Sequence, residues 1–184
     1  MKGTAAHLVA GLAVVILIGW GAGALWTSIG SNEVELMREI SVQRSHAVTD
    51  FARLVTWAGS AFVLVPLALV ACALLVRAGL RAQALAVAVS LAGAMVISDV
   101  VKLLVARPRP PVEHLQAVSG YSFPSGHATQ ASAFWLSRVY LGVHYPSDVI
   151  AGILLGGGWA AYVALCTSPF ADRRQRTPRA GVRG

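Results

Sequence analysis

Apolar residues dominate four long stretches of this chain, and the breaks between them give a first picture of the fold. Residues 8–29 and 54–76 carry no charge, residues 82–105 carry only Asp99 and Lys102 near their end, and residues 149–171 are again uncharged. About 20 apolar residues in a helix cover the hydrocarbon core, so each stretch is long enough to span a bilayer. Pro66 inside the second is tolerated as a kink, because neighbouring helices re-satisfy the carbonyl it frees. The pattern predicts an all-α fold, a polytopic membrane helix bundle with about four full spans and a short helix after Pro124. Gly19 and Gly23, and later Gly152, Gly156, Gly157 and Gly158, mark faces where helices approach closely. A signal peptide cut near Ala22-Gly23-Ala24 is the other reading of the first stretch, although the apolar run outlasts a typical h-region.

The polar segments set an orientation. Residues 31–53 carry Glu33, Glu35, Arg38, Glu39, Arg44, Asp50 and Arg53, too polar a mixture to cross, and read as an extracytoplasmic loop with room for an interfacial helix. Arg77 and Arg81 flank a short turn and place it inside, as do Arg173, Arg174, Arg176, Arg179 and Arg183 after the last stretch. The chain therefore divides into a membrane domain, 1–170, and a basic, disordered cytoplasmic tail, 171–184. An inside N-terminus makes all these placements agree, with residues 102–148 at the extracytoplasmic face of a bacterial inner membrane.

Composition agrees with that class: 56% of residues are hydrophobic and 12% charged, which excludes an ordinary soluble domain. The net charge of +7 owes much to the tail, which lacks the interleaved aromatics of a nucleic-acid binder, so no nucleic-acid partner is expected. Cys72 and Cys166 lie inside apolar runs with no ligand spacing and read as lipid-buried bystanders.

The polar chemistry is concentrated in residues 102–148. Ionised groups beside membrane spans are costly, and four cations there, with His127 and His144 among them, suggest an anionic substrate. Asp99 and Lys102, three apart on one helical face, read equally well as a structural ion pair. Arg107-Pro108 and Arg109-Pro110-Pro111 stop the third helix, leaving Arg109 free to fold back towards Lys102. Arg107 reads as a snorkelling interfacial arginine. Ser125 and Gly126 precede a helical pattern and suit an N-terminal anion site. His144 sits just before a helix start at Pro146, with Asp148 in the first turn, where its carboxylate can orient the imidazole; a helix cap beside an interfacial histidine is the plainer reading.

The spacing K-x-x-x-x-x-x-R-P at Lys102, Arg109 and Pro110, then P-S-G-H at Pro124 to His127, then S-R-x-x-x-x-x-H-x-x-x-D at Ser137, Arg138, His144 and Asp148, resembles the type 2 phosphatidic acid phosphatase family. The resemblance implies that His144 attacks phosphorus to form a phosphohistidine, that Asp148 orients it and that His127 protonates the leaving oxygen. Lys102, Arg109, Ser125, Gly126 and Arg138 would hold the phosphoryl oxygens. Fixed cations can supply the charge stabilisation of phosphoryl transfer, so neither a metal nor another cofactor is expected. The implied partners are a lipid phosphate and the bilayer, and the implied function is a lipid phosphate phosphatase acting on phosphatidic acid, phosphatidylglycerophosphate or a polyprenyl diphosphate. The alternative is a shortened, catalytically silent protein that keeps anionic head-group binding.

The family normally carries two further membrane helices between its second and third motifs. Here nine residues, 128–136, join them, too few to cross a bilayer and return, so one helical hairpin is expected to be missing. A straight helix over that link would hold His127 and Arg138 about 16 Å apart, leaving the site open unless the link bends.

Overall fold

The computed structural model describes residues 2–29, 31–118, 120–126, 129 and 135–175. All regular structure among them is helical: α1 (Lys2–Ile29), α2 (Ser31–Val42), α3 (His46–Ala58), α4 (Ala61–Arg77), α5 (Arg81–Val105), α6 (Trp135–Tyr140) and α7 (Pro146–Gln175). Within these, Thr4–Trp26, Arg81–Val105 and Pro146–Thr167 are long and apolar enough to cross a membrane, and α3 with α4, bent by 41° at the break between them, pass the same test only when taken as one span. The chain is an integral membrane protein.

That bent pair corrects the expected second span. The helix breaks at Gly59-Ser60 rather than kinking at Pro66, which lies inside α4. Gly59 N–H closes the end of α3 on the Val55 carbonyl at 3.2 Å, and Ser60 opens α4 in an extended conformation. Glycine followed by serine disfavours helix continuation and serves as stop and start together. The segment expected as a loop is likewise helical, forming α2 and the first part of α3. Ser45 caps α3, its Oγ accepting from Val48 N–H. At the other end, α7 runs through Gln175, so the first residues of the expected tail are helical. Residues 176–184 lie outside the described residues.

The bundle centres on α5 and α7, with α1 packed against both and α4 on α5. Ala94, Ile97 and Val101 of α5 meet Ala151, Leu155, Trp159 and Val163 of α7, with Phe123 from the following loop, and Leu8, Leu12, Val15 and Ile16 of α1 pack on them. Trp159 lies against Gly93, where any side chain would overlap the indole, and its Nε1–H donates to Val89 O at 3.2 Å. The expected Gly19/Gly23 face is real: Gly19 faces Val101 and Leu155, and Gly23 faces Val105 and Phe123. Of the later glycines, Gly156 is crossed by the backbone of Thr129, whereas Gly157 and Gly158 face open space.

Tyr162 OH donates to His7 O at 2.6 Å, tying the start of α1 to the far half of α7. The end of α1, the end of α5 and the start of α7 therefore share the opposite end of the bundle. There α2, α3 and α6 form a cap around Met37, Val139, Tyr145 and Val149, with a smaller cluster of Ala52, Leu141 and Val143 beside it. Large apolar side chains such as Leu17, Leu69, Phe62 and Leu154 point outward, as expected of a lipid-facing surface.

Candidate active site

The site forms where α5 ends and α7 begins. Ala106 adopts a left-handed conformation (φ 50°) with its N–H on Lys102 O, and the two proline dipeptides then carry the chain across the cap. Lys102, one turn from the end of α5, donates from Nζ to Ser98 Oγ at 2.7 Å. Asp99 stays on the exposed side of the helix, so the alternative Asp99–Lys102 ion pair does not form at contact distance. Arg109 folds back as expected: Nη1 donates to Val143 O at 2.7 Å and Nε to Gly120 O at 3.1 Å.

The third motif is delivered by α6 and the turn after it. Gly142 (φ 79°) sits where a Cβ would press on Arg44 and on the carbonyl of Glu113, so the turn requires glycine twice over. Arg138 is 3% exposed and donates from Nη1 to Gln116 Oε1 at 2.6 Å. Its Nε has no hydrogen-bond partner among the described residues. Arg138, Arg109 and Lys102 lie close enough to act on one another electrostatically, and Arg138 and Arg109 act also on His144. The separation expected of a straight link, about 16 Å, starts from His127, which with residues 128 and 130–134 of the link lies outside the described residues.

His144 is 2% exposed, with Nδ1 facing Asp148 Oδ2 at 3.6 Å, longer than a hydrogen bond. Catalytic hydrogen bonds often stand long before substrate arrives. Facing Asp148 through Nδ1 turns Nε2 away from the carboxylate. Burial, with Arg138 and Arg109 nearby, pushes the imidazole down to about 4 against the opposing pull of Asp148, so the ring is neutral at pH 7. Burial and then Arg109 push Arg138 down to about 10. Burial also lowers Arg109, with Asp148 opposing it. These three shifts share burial as their largest cause, and neighbouring cations add to it for Arg138 and His144.

Ser125 is fully buried, and its N–H donates to Asp148 O at 2.9 Å, which ties the second motif to the third. Gly126 begins a helical turn, and Thr129 returns a hydrogen bond to Ser125 O at 2.9 Å. His127, expected as the acid, lies outside the described residues.

Two residues that sequence reasoning did not place here hold the centre together. Arg107 is not a snorkelling arginine; it is 5% exposed, with Nη1 on Asp148 Oδ1 and, at 2.7 Å, on Ser147 Oγ. Its Nη2 meets Glu33 Oε2 at 2.9 Å, and its guanidinium lies 4.0 Å over the Tyr145 ring. Burial alone would lower Arg107, but Asp148 and then Glu33 outweigh it and raise it. Glu33, from α2, also accepts from Ser147 N–H at 2.7 Å and Ser147 Oγ at 2.6 Å. Position after an apolar span was the available signal for Arg107 and fitted snorkelling as well; Glu33 carried none, standing 114 residues from Ser147.

Comparison with known proteins decides the family. The model of the PAP2 superfamily matches residues 129–171. An undecaprenyl-diphosphatase from Sulfolobus acidocaldarius is 30% identical over 167 positions, covering 75% of this chain and 79% of the relative. The chain belongs to the PAP2 superfamily. A lipid A 1-phosphatase from Rhizobium etli is 33% identical over 46% of this chain and 54% of its own length, so the chain spans about half of that relative. A PAP2-type phosphatidylglycerolphosphate phosphatase from Bacillus subtilis superposes with a TM-score of 0.72, covering 90% of this chain and 98% of that one; at 20% identity it speaks for the fold.

Proposed function

We propose that this PAP2 chain is a metal-independent lipid phosphate phosphatase working through a phosphohistidine. One observation carries the reading: Lys102, Arg109 and Arg138 converge beside a buried, neutral His144 backed by Asp148, at the end of the bundle where α5 stops and α7 starts. A phosphoryl group seated among these cations would offset the mutual repulsion that Arg109 exerts on Arg138, and that both exert on His144. The unpartnered Arg138 Nε is a donor ready for one of its oxygens.

In this reading His144 Nε2 attacks phosphorus in line with the leaving group, forming the N–P bond as the P–O bond to the lipid breaks. The guanidinium and ammonium groups hold the equatorial oxygens as charge builds on them, the role a metal ion fills in other phosphoryl transfers. Asp148 stabilises the positive charge that develops on the ring. The leaving oxygen takes a proton from His127, and the same residue, now a base, directs water onto the phosphohistidine to release phosphate and free His144.

The substrate class is a lipid phosphomonoester or diphosphate: phosphatidic acid, phosphatidylglycerophosphate or a polyprenyl diphosphate. The names of the relatives support lipid phosphates as a class, and the outward apolar faces of α1, α4 and α7 suit a substrate with a lipid tail. The positive turn at Arg77 and Arg81 supports a site on the extracytoplasmic side of the bacterial inner membrane. Phosphate release by the purified protein in EDTA tests the proposal. Release from these lipids that disappears in His144→Ala is expected; no release, or release that survives the substitution, refutes it.

A further inference from the structure

We propose that Glu33 and Arg107 form a positioning unit that holds Asp148 and the start of α7 in register behind His144, so that turnover needs both although neither touches the substrate. The inference rests on the function proposed above.

A helix start leaves its first N–H groups without partners inside the helix. At α7, Tyr145 N–H donates to Asp148 Oδ2 at 3.0 Å, and Ser147 N–H donates to Glu33 Oε1 at 2.7 Å. One local and one distant carboxylate therefore cap the same turn, each favoured by the positive end of the helix. His144 stands two residues before Pro146, so whatever fixes this turn fixes the ring.

Arg107 then decides how Asp148 divides its two oxygens. Its Nη1 occupies Oδ1, which leaves Oδ2 to face His144 Nδ1. A guanidinium is a fork suited to grasping both oxygens of one carboxylate. Here the second prong is held away, because Nη2 is engaged by Glu33 at 2.9 Å. If Glu33 lost its charge, Arg107 would turn both prongs on Asp148, and Oδ2 would be withdrawn from the histidine. Ser147, whose hydroxyl donates to Glu33 and accepts from Arg107, locks the arrangement from the helix side.

The test uses the full-length protein in detergent, with Glu33→Gln, Glu33→Asp, Arg107→Lys and Ser147→Ala. Turnover of phosphatidic acid in Glu33→Gln and Arg107→Lys should fall about 10- to 100-fold in kcat, with KM and the Kd for vanadate unchanged within about threefold. Glu33→Asp should recover part of the loss, and Ser147→Ala should lose less in the same direction. Spectra of 15N-labelled histidine should show His144 in the Nδ1–H tautomer in the unaltered protein and in a mixture of tautomers in Glu33→Gln. Wild-type kcat with an unchanged His144 spectrum in Glu33→Gln overturns the proposal, as does loss of vanadate binding in parallel with kcat, the mark of a folding role alone. If the unaltered protein releases no phosphate, the functional reading fails separately, and the tautomer comparison still supports or overturns the positioning role.

Discussion

Replacing Arg107 by alanine separates the buried arginine seen here from an arginine at the membrane surface. Its side chain is 6% exposed, Asp148's is 0% and Glu33's is 17%, so the substitution leaves two carboxylates largely out of water with no cation between them. Removing one partner of a buried ion pair costs about 3–5 kcal/mol, because the other charge remains desolvated. Loss of the contact with the Tyr145 ring adds about 1 kcal/mol more. With about 2–4 °C per kcal/mol for a chain of this length, the melting temperature should fall roughly 8–24 °C. Thermal unfolding in mild detergent, followed by tryptophan fluorescence, reads this directly. Arg38→Ala is the control: its pair with Glu35 is mostly exposed, and such pairs contribute about 0–1 kcal/mol. Combining Arg107→Ala with Glu33→Gln should cost clearly less than the sum of the two, since the second change removes a charge that the first left stranded. If Arg107→Ala melts within a few degrees of the control, Arg107 is not part of a buried network and the positioning argument fails with it.

Other outcomes follow from the same geometry. Arg138→Gln should weaken vanadate binding by at least about tenfold, the effect of losing one charge-assisted contact, while leaving stability equal or higher, because it relieves repulsion with Arg109; a drop in melting temperature would contradict this. Gly156→Ala should destabilise by about 1–3 kcal/mol and depress activity, since the new methyl overlaps the carbonyl of Thr129 in the turn that carries Ser125 and cannot be relieved by a rotamer change. His144 also predicts a pH dependence. Its folded pKa, about 4, lies below the ordinary 6.5, so between these values the unfolded chain binds the proton that the folded one refuses. Stability should therefore decline as pH falls from about 6.5 towards 4, and His144→Asn should flatten that decline in melting curves taken across the range.

Much of the architecture could be read from local pattern. Uncharged length marked the spans, the proline dipeptides marked the end of α5, and Pro146 with Asp148 marked the start of α7, because each signal lies within a turn or two of what it controls. The second apolar run was found but not its break: Gly59-Ser60 carried stop-and-start chemistry, yet the apolar run concealed it and Pro66 drew the expectation away. Arg138 shows a different limit. Helix rise converts residue number into distance only along one straight helix, so spacing alone could not say where Arg138 stands.

Glu33 and Arg107 show where local reading ends. Their partners lie 114 and 41 residues away, and the contacts exist only because α2 folds over the start of α7. The motif spacing identifies the groups expected to touch a phosphate, since those are fixed by the geometry of the phosphoryl group itself. A group that only orients another needs no fixed spacing, because any element that reaches the helix start can supply it. In this chain the supplier is α2, which lies outside both the recognised motifs and residues 129–171. The groups that set His144 therefore come from α2, from Arg107 after α5 and from the first turn of α7, three segments that meet only in the folded bundle.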